Sequence, residues 1–125
     1  MGSMSKNKGK RGELECAAEL RRLFGVDARR GQQFHGGSDS PDVVADIPGV
    51  HIEVKRTERL SLYPAMRQAI EDSGAGKVPV VFHRQNHEDW LAIVRLNDLS
   101  ELIERLAALE RRMQSIDQSA GNEVE

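Results

Sequence analysis

Two acidic residues and one basic residue, Asp42, Glu53 and Lys55, stand at a spacing suited to hydrolytic chemistry. In an extended strand side chains alternate between faces, so Glu53 and Lys55 project one way and Ile52 and Val54 the other. Between Asp42 and Glu53 the run Asp46-Ile47-Pro48-Gly49-Val50 carries a Pro-Gly turn signal. Strands at about 42–46 and 50–56, folded as a hairpin, would bring both carboxylates and the amine onto one sheet face. Hydrolysis of a phosphodiester needs the phosphate charge neutralised and a water activated, and a divalent cation held by carboxylates supplies both. The expected cation is Mg2+, with Mn2+ able to substitute. Asp42 and Glu53 are then its direct ligands and the Val54 carbonyl a further oxygen donor. Lys55, beside the cation, orients the water or stabilises developing negative charge.

The elements that must position these groups follow from periodicity. Residues 1–8 read as an expression remnant (Met1-Gly2-Ser3) followed by a flexible basic lead-in, and Lys8, Lys10 and Arg11 make that region a candidate grip on phosphate. From Gly9 to Phe24 the spacing is helical, with Cys16, Ala17, Leu20, Leu23 and Phe24 on the apolar stripe and Gly25 as the stop. Glu13 prolongs that stripe, whereas Glu15 and Glu19 lie on the charged side, so Glu13 is the third carboxylate aimed inward. A buried carboxylate is costly unless paired or bound to metal.

Val26 to Arg30 is a short extended segment, and Arg29 and Arg30 lead into a polar, glycine-rich loop at 31–40 that ends at the Pro41-Asp42 pair. A phosphate bracketed by these guanidinium groups and the loop hydroxyls suits that arrangement, and Arg56, next to Lys55, joins the basic set. His35 in the loop reads as solvated. A helix at 62–73 is capped by Ser61 and stopped by Gly74. Two apolar runs, 78–83 and 90–94, predict strands covered on both faces. A last amphipathic helix spans 99–113, and a polar tail at 114–125 is expected to be disordered. The order predicts one α/β domain over 9–113, with a mixed central sheet flanked by helices.

Composition narrows the function classes. No apolar stretch approaches the roughly 20 residues that span a bilayer, and the lone Cys16 falls on a helix stripe where packing is its expected role. A cytoplasmic setting and no membrane partner are the expectations. The net charge of −2 hides an uneven distribution: residues 1–60 hold 11 Lys and Arg against 9 Asp and Glu, while residues 61–125 hold 7 against 11. With three carboxylates committed to metal, the first half becomes distinctly positive, which suits DNA backbone contact. The five aromatics show no interleaving with basic residues, which argues against base stacking on an exposed platform.

Pro41-Asp42, Glu53 and Lys55 resemble the PD-(D/E)xK nuclease signature, and within that superfamily the chain looks most like the archaeal-type Holliday junction resolvases, which also occur in viruses. Lys8-Gly9-Lys10-Arg11-Gly12-Glu13 is similar to the start of those proteins, and Gly37-Ser38 to their Gly-Ser loop before the Asp. The resemblance covers roughly 6–96. It implies a restriction-endonuclease-like fold, a homodimer with two Mg2+ sites that cuts symmetric strands of a four-way DNA junction, and a catalytic role for Ser38 beside Glu13, Asp42, Glu53 and Lys55. It also implies a role for Gln68 as the polar residue that follows the Glu-x-Lys in some members. The alternatives are a nuclease of the same superfamily acting on flaps, nicks or duplex DNA, and an inactive DNA-binding module of the same fold.

Overall fold

The structure, a computed structural model, describes residues 2–31 and 41–122, with side chains from 8 to 31 and from 41 to 118. It begins with α1 (Gly2–Phe24), whose residues Cys16, Ala17 and Leu20 are buried. The helix stops where Gly25, at φ +65°, donates its N–H to the Arg21 carbonyl at 3.0 Å. Strands β1 (Ala28–Arg30), β2 (Val43–Ala45) and β3 (Val50–Arg56) then form antiparallel neighbours. Helix α2 (Leu62–Ser73) carries the chain across to β4 (Val78–Arg84), which pairs parallel to β3. A parallel pair requires such a crossover, and an intervening helix is the usual one. β5 (Leu91–Ile93) closes the far edge antiparallel to β4, and a 3₁₀ turn (Leu96–Asp98) leads into α3 (Leu99–Asn122). The result is one mixed five-stranded sheet in the order β1-β2-β3-β4-β5, flanked by helices, as the sequence predicts.

Strand alternation decides which helix covers what. Ile52 and Val54 join Val43, Ala28 and the α1 stripe in one core cluster, so α1 lies on that face. Val81, opposite Glu53 in the β3–β4 register, packs with Ala65, Met66 and Ala69 of α2, so α2 covers the other face. α3 buries Leu109 against Val26 and Ile47 at the end of the sheet where β1 and β3 begin. No described helix is long and apolar enough to cross a membrane.

Three expectations change. β5 is an outer strand with one neighbour, and Leu91 is 57 % exposed rather than covered on both faces. The helix expected to stop at Met113 continues to Asn122, so the tail read as disordered is helical that far; neither Gly nor Pro interrupts it between Leu99 and Ala120. The lead-in read as flexible is likewise part of α1 from Gly2. In addition, Leu23 points away from its stripe and is largely exposed.

Candidate active site

The turn at Pro48-Gly49, with Gly49 at φ +79°, returns the chain so that Val43 pairs with Ile52, and Asp42 therefore arrives beside Glu53 and Val54. Its backbone N–H donates to the Ile52 carbonyl at 3.0 Å, and the Val54 N–H donates to its Oδ2 at 2.8 Å. The carboxylate thus takes the place of a strand carbonyl, which fixes it in the plane of the sheet between the two faces. Gly31 tightens the arrangement: its N–H donates to the Asp42 carbonyl at 2.8 Å, and a Cβ there would collide with the Pro41 carbonyl.

Glu53 is 2 % exposed, enclosed on the α2 face of β3. Burial pushes its carboxyl up to about 7; the hydrogen bond with His51 opposes this, while the charge of Asp42 and a hydrogen bond to it add to the rise. Two carboxylates close enough to share a hydrogen bond are disfavoured when both are ionised. Lys55 lies on the same face, and its Nζ donates to Gln68 Oε1 of α2 at 3.0 Å. Gln68, singled out only by resemblance, is thereby joined to the Glu-x-Lys strand.

Glu13 approaches from α1, with a side chain 13 % exposed that is paired with Arg30 of β1. Burial raises its pKa, the Arg30 hydrogen bond opposes, and the charge of Asp42 adds to the rise. Asp42 therefore lies within electrostatic reach of both other carboxylates. Among the described residues, no three His, Cys, Asp or Glu side chains are gathered as ligands around one point. Asp42 and Glu53 are gathered, whereas Glu13 is held by Arg30. Ser38, Gly37 and His35 lie outside the described residues.

The basic residues divide. Lys10, Arg11 and Arg29 are exposed, and Lys8 Nζ stands 3.9 Å from Glu58. Arg56, expected among the DNA contacts, is instead held within the fold: its side chain is 11 % exposed, donates to Asn86 Oδ1 at 2.9 Å and to the Arg84 carbonyl at 3.3 Å, and stands 3.7 Å from Glu15. The alternation of β3 explains this, since Arg56 shares the α1 face with Val54. Burial pushes the Cys16 thiol up to about 12, which leaves it a packing group.

Sequence reasoning missed His51. It is 2 % exposed, and its Nε2 lies 2.8 Å from Glu53 Oε1. The available signal was its position two residues before Glu53, on the same strand face.

No protein-family model and no curated protein sequence matches this chain. Among solved structures it is similar to a Holliday junction resolvase of Archaeoglobus fulgidus, an archaeal hyperthermophile, with 27 % identity and a TM-score of 0.52 over 70 % of this chain and 72 % of that one. The similarity bears out both the α/β fold and the resemblance to the archaeal-type resolvase family drawn from the motifs.

Proposed function

We propose that this chain is a metal-dependent, structure-selective DNA endonuclease that resolves four-way junctions. The observation that carries the reading is the Asp42–Glu53 pair, buried side by side with Lys55 on the strand next to Asp42, in a fold similar to that of a solved Holliday junction resolvase. The donor set is all oxygen, and two adjacent carboxylates that repel each other suit a hard cation. Asp42 and Glu53 would hold Mg2+ or Mn2+, with Glu13 and the Val54 carbonyl as further oxygen donors, and the bound ion supplies charge neutralisation of the phosphate and an activated water.

The chain's own groups supply the rest. The Val54 N–H keeps Asp42 in register with Glu53. Gln68 holds the Lys55 ammonium at the site, where it can donate to a phosphate oxygen or to the attacking water. Arg30 neutralises Glu13 until the scissile phosphate arrives, and then has a phosphate oxygen as an alternative partner. Lys8, Lys10, Arg11 and Arg29 lie outside this centre and serve backbone contact. Paired cuts across a four-way junction call for two active sites related by a two-fold axis, hence a homodimer.

The test offers labelled four-way junction, flap and linear duplex DNA with Mg2+. Paired cleavage of the junction is expected; preferential cutting of flap or duplex moves the substrate assignment, and no cutting of any of them leaves a DNA-binding module. Asp42→Asn should lower cleavage by about 10²–10³-fold while junction binding by gel shift is retained. Undiminished cleavage by that variant removes the site assignment.

A further inference from the structure

His51 lies on β3, two residues before Glu53 on the same strand face, and is as deeply buried as Glu53 itself. An imidazole at that depth needs a hydrogen-bond partner, and its Nε2 has one in Glu53 Oε1 at 2.8 Å. The proposed chemistry assigns this histidine nothing, although it makes a direct side-chain hydrogen bond with Glu53.

We propose that His51 is a positioning residue for the cation-binding carboxylate Glu53: its Nε2–H fixes Oε1, and so sets the direction in which the carboxylate meets Asp42 and the cation. The inference rests on the metal-site reading above. The last torsion of a glutamate is broad and roughly two-fold, so packing alone orients the carboxylate poorly. One hydrogen bond to one oxygen removes that freedom before a cation arrives, and the order is then paid for in folding rather than in binding. Asp42 is treated in the same way, since the Val54 N–H fixes its Oδ2. Each carboxylate of the pair therefore has a fixed donor beside it, the Val54 N–H for Asp42 and the imidazole for Glu53.

His51 acts through Glu53 rather than as a ligand. The nitrogen that faces the site is spent on Oε1, and the other ring nitrogen sits across the ring from it. Partners that hold ligating groups in this way typically change metal affinity by about 10–100-fold when removed.

The test measures Mn2+ binding to the full-length protein without DNA, by electron paramagnetic resonance, beside circular dichroism of each variant. The amide of Gln reaches the position of an imidazole Nε2, whereas that of Asn reaches only as far as Nδ1. His51→Asn is therefore expected to weaken Mn2+ binding by about ten-fold or more, and His51→Gln to restore most of it. In junction cleavage, the Mg2+ concentration for half-maximal rate should rise in His51→Asn by a larger factor than the maximal rate falls. Wild-type Mn2+ affinity in His51→Asn overturns the proposal, as does equal weakening in both variants.

A measurement on the unsubstituted protein stands in if the Asn variant does not fold. With saturating Mg2+, imidazole nitrogen NMR should show a proton on His51 Nε2; a bare Nε2, which is unable to donate, overturns the proposal. Asp42→Asn separates this outcome from failure of the site itself. If it binds Mn2+ as tightly as wild type, the metal-site reading falls, whatever the His51 variants do.

Discussion

On one face of β3, Ile52 and Val54 pack beneath α1 with Cys16, Ala17 and Leu20. On the other, His51, Glu53 and Lys55 lie on the side covered by α2, with His51 hydrogen-bonded to Glu53 and Lys55 to Gln68 of that helix. Ile52, His51 and Glu53 are each 2 % exposed, so depth of burial does not distinguish the two faces. The sign of the burial energy does. Removing Ile52 from water stabilises the fold by roughly 2 kcal/mol, whereas burial of Glu53 works against its ionisation and pushes the carboxyl up to about 7. A strand that tolerates an unfavourable carboxylate directly after a well-packed isoleucine is held by the first face and does its chemistry on the second.

The largest stability loss should come from damage to the apolar face. Ile52→Ala is expected to cost about 2–5 kcal/mol, because the cluster around it is close-packed and can collapse only in part. Urea denaturation would show this as a lower midpoint, with cleavage per folded molecule retained. An unchanged midpoint would mean that α1 is not what anchors β3.

The carboxylate face should respond in the opposite direction and through pH. The folded-state pKa of Glu53 is raised from 4.5 to about 7, so the native state holds this proton more tightly than the unfolded chain does. Its contribution to stability is fully present below pH 4.5 and is lost as pH rises through about 7. The loss is on the order of 3 kcal/mol. Metal-free protein in EDTA should therefore melt lower at pH 8 than at pH 5, and Glu53→Gln should flatten that difference and melt higher than wild type at pH 8. Adding Mg2+ at pH 8 should raise the melting temperature of wild type, since a ligand that binds only the folded state stabilises it, and should do so far less in Glu53→Gln. A pH 5-to-8 decline that persists undiminished in Glu53→Gln would assign the cost of burial to another group.

The unequal legibility of the two faces has a physical origin. β3 at 50–56 and α2 at 62–73 agree with the sequence, because strand alternation and the stop at Gly74 are local signals; Ser61 takes the N-cap position but makes no side-chain capping hydrogen bond. The pairing of Asp42 with Glu53 followed from a turn and two short strands, and it too is local. Alternation places His51 on the face of Glu53, but its burial depends on the placement of α2 over that face, which the strand alone does not report. The Arg30–Glu13 pair likewise depends on the docking of α1 against β1. Its place beside Lys55 marks Arg56 as a surface cation, whereas alternation and the α1 contact put it under the helix. α3 continues past Met113 because its polar end holds no helix breaker before Gly121, whereas polarity alone predicts disorder there.

The finest comparison lies where α1 meets the apolar face, at the two glycines of the Lys8–Glu13 segment. Both sit inside α1, where Gly is about 1 kcal/mol poorer than Ala, so propensity alone predicts that either Gly→Ala change stabilises. A Cβ on Gly9 would meet nothing within 4 Å, and Gly9→Ala should follow that rule with a gain of about 0.5–1 kcal/mol. A Cβ on Gly12 would instead collide with Arg56 Cβ and lie 3.7 Å from Val54 Cγ1, because only a hydrogen fits where the helix crosses the end of β3. Gly12→Ala should cost about 1–3 kcal/mol through overpacking. It should also lift the neighbouring Glu13 away from Arg30 and Asp42, so cleavage should fall further than the loss of folded protein accounts for. Urea titration and junction cleavage on the two variants separate these effects. Equal stability changes would show that the helix propensity of the segment, and not its close approach to β3, sets where Glu13 stands.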